Sequence, residues 1–360
     1  LASGSVVSHH LNKEKFNLYP VILDTDCWYY KDKQEQIHLI DKSNFSLSLN
    51  GKSIQFDVVF NAIHGTPGED GLLQAYFGLI GVKHTSCDFY QAALTFNKRD
   101  LLAVLAPLSI DIAPSYSLNK GDAIDTAAIV EKVGLPCFVK ANKAGSSLGV
   151  SKVKEETQIE AAIANAFDFD DEILIESFIE GREFSVGVCP LNEEIVALPI
   201  TEIVTENEFF DYEAKYQGKA KEITPAVIEE PLRKKLAELS VFIYKKLKLK
   251  GFCRSEYIVN GDRAFLLEIN TCSGRSTVTS NARTRCVSRL VLPEPAGAVT
   301  QKLLLVSRTS CRMSESLIRR VLSSVPIRRH VSATNGRVMA IPTAAGRWCR
   351  SHTAAYEGPH

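Results

Sequence analysis

The chain has 360 residues, and its 42 Lys and Arg formally balance its 42 Asp and Glu. The balance is uneven, because residues 1–271 carry 28 basic against 39 acidic residues, whereas residues 272–360 carry 14 against 3. No run of about 18 apolar residues is present, which argues against a transmembrane helix, and the start has no signal-peptide pattern. The nine cysteines include no C-x-x-C pair, which favours free thiols and a cytoplasmic protein.

The first predicted elements form a strand, loop and helix unit. The chain starts at Leu1 in helix-like sequence ahead of a strand-like run at 18–23, from which we expect an N-terminal truncation. A strand at 56–63 leads into the Gly-rich HGTPGEDG at 64–71, and apolar residues at helical spacing follow from Leu72. This order is typical of an α/β layer.

The middle of the chain alternates predicted helices and strands. The predicted elements are a helix at 91–106, a helix at 121–133, a strand at 135–142, a loop at 143–149, a strand at 150–153, a helix at 156–167, a strand at 172–179, and a hairpin of strands at 183–190 and 194–204. A polar stretch at 205–226 has no periodicity, and a loop of this length is usually functional or disordered. An amphipathic helix is then predicted by the spacing of Leu232, Leu236, Leu239, Ile243 and Leu247.

The last predicted unit of the body is a β-hairpin. GFCRSEYIV (251–259) and RAFLLEINT (263–271) flank Asn260-Gly261-Asp262, which is a turn signal. A two-residue Asn-Gly turn would place Arg254 and Glu256 on the face opposite Glu268 and Asn270, whereas a three-residue loop would place all four on one face. We expect the shared face.

Two of the predicted strands carry residues that indicate metal or phosphate binding. Glu268 and Asn270 stand two residues apart on an apolar strand, and their oxygens suit Mg²⁺ unless that strand face is simply solvent-exposed. Lys140 precedes ANKAGSSLG, a small-residue loop that can bind phosphates or can be an ordinary flexible loop. This loop is neither a Walker A sequence nor a dinucleotide-binding fingerprint.

Taken together and in this order, the motifs resemble the D-alanine–D-alanine ligases of the ATP-grasp superfamily over nearly all of residues 1–271. The motifs that carry the resemblance are HGTPGEDGLLQ (64–74), Asn97-Lys98, FVKANKAGSSLGVSKV (138–153), ESFIEGREFSV (176–186), DYEAKYQ (211–217), GFCRSEYIV (251–259) and LLEINT (266–271). The resemblance implies an α/β (α+β) ATP-grasp fold of three lobes. The implied domains are an N-terminal α/β substrate domain at 1–92, a central lobe at 93–180, a C-terminal lobe with the Mg²⁺ site at 181–275, and an Arg-rich tail at 276–360 that is disordered or frame-shifted.

The resemblance also implies the site residues, residue by residue. Lys98, Lys140 and Lys215 would contact ATP phosphates, Glu176 and Ile179 the adenine, and Glu183 the ribose. His64 would position the first D-alanine, Ser146 and Tyr216 would lock the loop over it, and Tyr216 favours a dipeptide over a depsipeptide product. Arg254 and Gly274 would stabilise the oxyanion, and Glu256, Glu268 and Asn270 would bind Mg²⁺ or Mn²⁺.

The implied reaction is ATP-dependent ligation of two D-alanines through an acyl phosphate, for peptidoglycan precursor synthesis in a possible homodimer. The sequence departs from the family at two places. The family's first strand, with a substrate-binding glutamate, has no counterpart here, which predicts a gap in the N-terminal sheet. At the other end, the family pattern stops near Cys272. A reading-frame shift near residue 272 would explain the change in composition. The alternatives are an ATP-binding but catalytically impaired fragment, another ATP-grasp carboxylate–amine ligase, and an Arg-rich tail that binds nucleic acid.

Overall fold

The computed structural model describes residues 2–14, 16–145, 149–191, 193–205, 220–271 and 301–308. The chain divides into two compact units, Leu1–Thr309 and Ser310–His360, and all described residues belong to the first. The helices are α1 (Ala2–His10), α2 (Leu72–Leu79), α3 (Phe89–Phe96), α4 (Lys98–Leu105), α5 (Thr126–Val133), α6 (Ile159–Phe167) and α7 (Glu230–Lys246), with 3₁₀ turns at Ala106–Leu108 and Glu156–Gln158. Within these ranges no helix is long and apolar enough to cross a membrane.

Three sheets organise the described residues. The strands are β1 (Phe16–Leu23), β2 (Trp28–Lys31), β3 (Ile37–Asp41), β4 (Ser46–Leu49), β5 (Lys52–Ile54), β6 (Val58–Asn61), β7 (Ser115–Asn119), β8 (Cys137–Ala141), β9 (Ser151–Val153), β10 (Glu172–Ser177), β11 (Arg182–Leu191), β12 (Glu194–Ala197), β13 (Thr201–Thr205), β14 (Ala220–Ile223), β15 (Cys253–Asn260), β16 (Arg263–Thr271) and β17 (Gln301–Arg308). The strand orders are β5-β4-β3-β2-β1-β17-β6, then β7-β10-β8-β9, then β14-β13-β11-β15-β16 with β12 on β11. The mixed α/β class predicted from the sequence is confirmed.

The first sheet differs from the sequence prediction at its centre. Strand β17, drawn from the Arg-rich tail, lies between β1 and β6 and runs parallel to both. Its eight residues pair with Phe16–Leu23, and four of them also pair with Val58–Asn61. The expected gap is therefore occupied, and backbone groups that would be costly to leave unpaired have partners.

Strands β2 to β5 form an antiparallel meander that the periodicity did not predict. The meander packs against α2 through a cluster of aromatic rings. The ring centroid of Trp28 lies 5.3 Å from that of Tyr76, and the centroid of Phe45 lies 5.0 Å from that of Phe77. Phe45 and Phe77 are buried. These strands are short and are stabilised by a helix that follows later in the chain, so local sequence carries little signal for them.

His84 lies beside this cluster, and we expect its titration to make the stability of the fold depend on pH. It forms an isolated parallel bridge with Val59, and its ring centroid is 5.6 Å from that of Phe77. Burial lowers the pKa of His84, with a smaller opposing effect from Asp88. Because the unfolded chain binds the proton more readily, we expect stability to fall as pH drops below about 6.5 and through the lowered pKa.

The test is urea unfolding between pH 5 and pH 8. In the His84→Gln variant the free energy of unfolding should depend less on pH in this window, because the titrating ring is absent. Equal slopes for His84→Gln and the parent would contradict this account.

The region predicted to be helical at 91–106 is helical, but it is divided into α3 and α4 at Asn97. Asn97 is extended (φ −89°, ψ 101°) and its side chain accepts a hydrogen bond from the backbone N–H of Asp100. Asn97 is thus the N-cap of α4, a position that asparagine favours because it satisfies a free N–H group. The break places Lys98 in the first turn of α4.

Helix α7 and the third sheet enclose the largest of the described cores. Leu236 and Ile243 are completely buried, and Leu232 and Leu239 are partly buried against the same cluster. The predicted amphipathic face of α7 is therefore confirmed. It covers β11, β12 and the sheet that contains β15 and β16.

Candidate active site

The β15–β16 hairpin places four polar side chains on one face of the third sheet. Arg254 pairs with Asn270 and Glu256 pairs with Glu268, and directly opposed residues share a face. The predicted shared face is therefore confirmed. The predicted three-residue loop is wrong, because Asn260 pairs with Arg263 and the turn holds two residues.

A bulge reconciles the two-residue turn with the shared face. Beyond the turn Tyr257 pairs with Leu266, but the next pair is Glu256 with Glu268, so Leu267 is an extra residue on β16. An extra residue shifts the register by one and moves every following side chain to the other face. Without this bulge Glu268 and Asn270 would face away from Arg254.

Arg254 lies at the centre of this face among carboxylates. One of its terminal nitrogens is 2.6 Å from Oε1 of Glu256, which is buried. Burial alone would lower the pKa of Arg254, but Glu256, Glu268, Glu222 and Glu69 outweigh it and raise that pKa. The guanidinium is therefore a permanent, largely buried positive charge.

One part of the guanidinium is unsatisfied. Nε of Arg254 is buried and has no hydrogen-bond partner among the described residues. A buried donor without a partner is costly. This donor is available to an anionic oxygen that arrives with a substrate.

Glu268 and Asn270 form the second part of the face. The side-chain amide of Asn270 donates to Oε1 of Glu268 over 3.1 Å. Across the described part of the chain, no three His, Cys, Asp or Glu side chains are arranged to hold a metal ion. The oxygen donors at this face are two carboxylates and one amide, which is the type of ligand that Mg²⁺ uses together with substrate phosphates.

The Gly-rich loop at 64–71 follows β6 and carries His64. Nδ1 of His64 lies 3.8 Å from Oε1 of Glu69, and the other oxygen of Glu69 accepts the backbone N–H of Gly65 over 2.6 Å. The carbonyl of Gly68 accepts hydrogen bonds from both Asn61 (2.7 Å) and Gln74 (2.6 Å). The loop is therefore fixed by side chains on either side of it.

Sequence reasoning assigned no role to two acidic residues at this site. Glu69 lies close to the His64 ring and also contributes to the negative charge around Arg254, but the motif HGTPGEDG gave it no role of its own. Glu222 on β14 also contributes to the charge around Arg254, and it lay in a polar stretch without periodicity. Glu69 could have been inferred from its place beside His64, whereas Glu222 had no local signal.

Lys98 contacts the start of the small-residue loop. Its Nζ donates to the carbonyl of Ala144 over 2.7 Å and to that of Asn142 over 3.3 Å. The side chain of Asn142 in turn donates to Asn97 and to Glu172. The structure thus brings Lys98 to the small-residue loop, for which the sequence left phosphate binding and an ordinary flexible loop open.

Lys140 and Glu176 form an ion pair on neighbouring strands of the second sheet. Lys140 lies on β8 and Glu176 on β10, and these strands are antiparallel. Both side chains are largely shielded from solvent. Ile179 follows β10 in the connection to β11 and is partly buried. The Lys140–Glu176 ion pair and Ile179 therefore lie on or beside β10, the strand that leads into the third sheet.

Glu183 lies at the start of β11, directly after that connection. Its backbone is paired with Ile203 on one side and with Ile258 on the other, so its position in the third sheet is fixed. Because Gly181 has no side chain, the backbone of Val259 can lie close to it; a Cβ at this position would lie 2.2 Å from the carbonyl oxygen of Val259. The remaining predicted site residues, Ser146, Lys215, Tyr216 and Gly274, lie outside the described residues.

Comparison with known proteins matches two family models to this chain. The family described as D-ala D-ala ligase N-terminus matches residues 1–87, and that described as D-ala D-ala ligase C-terminus matches residues 105–286. The D-alanine–D-alanine ligase of Flavobacterium johnsoniae is 56% identical over 277 residues, covering 77% of this chain and 86% of that protein. The protein of the same name from Christiangramia forsetii is 54% identical over 274 residues, covering 76% and 84%. The crystal structure of VanG D-Ala:D-Ser ligase from Enterococcus faecalis matches with a TM-score of 0.64 at 28% identity, covering 75% and 84%.

Proposed function

The chain belongs to the D-alanine–D-alanine ligase family, and on this premise we propose that it joins two D-alanines with ATP to give D-alanyl-D-alanine for peptidoglycan precursors. The observation that carries the proposal is the shared face of Arg254, Glu256, Glu268 and Asn270, created by the bulge at Leu267. This face combines a buried cation with oxygen ligands. Such a combination suits chemistry in which negative charge develops on oxygens.

The reaction requires activation of a carboxylate, which is a poor electrophile. A carboxylate oxygen of the first D-alanine attacks the γ-phosphorus of ATP, and ADP leaves. The amine of the second D-alanine, after losing a proton, attacks the carbonyl carbon of the acyl phosphate, and phosphate leaves. Arg254 stabilises the oxyanion that forms between these events, because its unsatisfied Nε and fixed charge require no rearrangement.

The nucleotide is assigned to the junction of the second and third sheets. Lys98 and Lys140 would bind phosphates, Glu176 and Ile179 the adenine, and Glu183 the ribose hydroxyls. Lys98 already donates to the carbonyls of Asn142 and Ala144, which supports a role in holding the phosphate loop. Lys140 would exchange part of its ion pair with Glu176 for a phosphate.

Glu256, Glu268 and Asn270 are the residues that would hold Mg²⁺ or Mn²⁺. The donor set fits a hard cation, since it consists of two carboxylates and an amide, with phosphate oxygens to complete the coordination. The bound ion would neutralise charge on the transferring phosphoryl group. Asn270 keeps the carboxylate of Glu268 oriented through its hydrogen bond.

His64 and four residues outside the described ranges complete the proposed site. His64 would position the first D-alanine, and Glu69 supports its ring. Ser146, Lys215 and Tyr216 would close over the substrates and exclude water from the acyl phosphate. Gly274 would add a backbone N–H to the oxyanion. Tyr216 is also the reason for proposing a dipeptide and not a depsipeptide product.

The deciding experiment incubates the purified protein with ATP, Mg²⁺ and D-alanine. Phosphate release and D-alanyl-D-alanine, identified by mass spectrometry, should appear together and in equal amounts. Parallel reactions with D-serine or D-lactate as the second substrate separate this function from that of a related carboxylate ligase. Protection by ATP against heat without any dipeptide would instead indicate an ATP-binding but catalytically impaired protein.

We propose three further assignments, for the domain division, the oligomeric state and the cellular location. The three-lobe division is proposed because each of the three sheets has its own buried core. A homodimer is proposed because Leu79 and Phe89, on α2 and α3, are exposed apolar side chains; a monomeric mass in sedimentation equilibrium would refute it. The reaction is placed in the cytoplasm, where ATP is available, and fractionation of the source cells tests that.

A further inference from the structure

Cys87 and Cys253 meet at a contact between two distant chain segments. Cys87 lies between β6 and α3, Cys253 is the first residue of β15, and their Sγ atoms are 3.6 Å apart. Both side chains are buried. Neither residue has a role in the proposed ligase reaction, so this pair is a separate feature of the fold.

The two segments around the pair are held together tightly. The N–H of Lys250 donates to Sγ of Cys87 over 3.2 Å, and the Lys250 carbonyl lies 2.9 Å from the same sulfur and 3.4 Å from that of Cys253. Gly251 has φ +63°, and a Cβ there would lie 2.3 Å from the Thr85 carbonyl oxygen. The two sulfurs are therefore kept facing each other.

An exposed ion pair lies next to the two thiols in the sequence. Nζ of Lys250 is 2.7 Å from Oδ2 of Asp88, and this ion pair is solvent-exposed. Each of its residues is close in sequence to one of the cysteines. An exposed ion pair contributes little to stability, so it adds little resistance to a local opening that would admit a small oxidant to the buried sulfurs.

We propose that Cys87 and Cys253 form a reversible intramolecular disulfide when the protein meets a peroxide. A disulfide needs about 2.05 Å between the sulfurs, so the two Sγ atoms must approach by a small rotation of both side chains. The bond would fasten the segment before α3 to the strand that carries Arg254 at its next position.

The chemistry balances with hydrogen peroxide as oxidant. The Cys87 thiolate attacks one peroxide oxygen, the O–O bond breaks, and after proton uptake Cys87 is a sulfenic acid and water has left. Cys253 then attacks the Cys87 sulfur, the S–S bond forms, and a second water leaves. The two sulfurs supply the two electrons that reduce the peroxide.

Cys87 is the proposed attacking group. The hydrogen bond from Cys253 lowers the pKa of Cys87, burial opposes this, and the N–H of Lys250 lowers the pKa further. The thiolate is the reactive form of cysteine.

The test treats the full chain with hydrogen peroxide, blocks remaining thiols, and digests with trypsin. Cleavage after Lys83, Lys98, Lys250 and Arg254 gives the peptides 84–98 and 251–254, each with one cysteine. We expect these two peptides to be joined, with a mass two hydrogens lower than their sum, and to separate after dithiothreitol. No ligase activity is needed for this readout, so failure of the proposed function would leave the test intact.

Variants make the assignment specific. Cys253→Ser should abolish the joined peptide and leave Cys87 as a sulfenic acid that a trapping reagent captures. Cys189→Ser, which removes another buried cysteine on β11, is the matched control and should leave the joined peptide unchanged. The proposal is overturned if both peptides stay reduced while the more exposed Cys27 is oxidised, or if Cys87 pairs with a different cysteine.

Discussion

Replacement of Arg254 by methionine should lower kcat for D-alanyl-D-alanine synthesis by roughly 10²–10³-fold, the cost of removing one preorganised oxyanion donor. The guanidinium is a permanent cation in the electrostatic field of Glu69, Glu222, Glu256 and Glu268. Methionine keeps the length and apolar body of the side chain but removes the charge and the unsatisfied Nε donor. The measurement is steady-state kinetics with ATP held at saturation.

Two variants separate catalysis from folding. Arg254→Lys keeps the charge but loses the planar fork of donors, so its rate should fall between those of the parent and the methionine variant. Arg263→Met removes an arginine from the same hairpin, where it forms an exposed ion pair with Asp111, and should change kcat less than about twofold. If kcat of the methionine variant stays within tenfold of the parent while ATP still binds, Arg254 does not stabilise the oxyanion.

Proline at Leu304 should unfold the centre of the first sheet. Leu304 pairs with Tyr19 of β1 on one side and with Val59 of β6 on the other, so its strand is central and not an edge. Proline lacks the N–H that a central strand needs and is excluded from such positions. Each buried backbone group left without a partner costs about 1–3 kcal/mol.

Amide hydrogen exchange on the full chain measures this directly. In Leu304→Pro, exchange should accelerate in Phe16–Leu23 and Val58–Asn61 while Cys137–Ala141 of the second sheet stays protected as an internal control. Leu304→Val, which keeps the N–H and favours strands, should leave all three segments protected. Unchanged protection in the proline variant would show that β17 does not hold β1 and β6 together.

Much of the fold was predictable because the relevant signals are local. The alternation in β15 and β16, the apolar face of α7 and the turn residues around Gly261 are read within a few positions of the chain. The meander β2–β5 was missed because its strands are short and depend on Trp28 and Phe45 packing against α2. The break at Asn97 was missed because a capping asparagine interrupts an otherwise continuous apolar pattern.

The sequence by itself determined which residue types are available at the site, the order of the motifs, and the alternation that puts Glu268 and Asn270 on one face. The tertiary structure alone decided three other features: the bulge at Leu267, the placement of β17 between β1 and β6, and the meeting of Cys87 with Cys253. The physical reason is that a local pattern does not specify packing. A strand neighbour and a contact across 166 positions depend on which distant segments pack together, and the bulge depends on which face of the hairpin packs against the core.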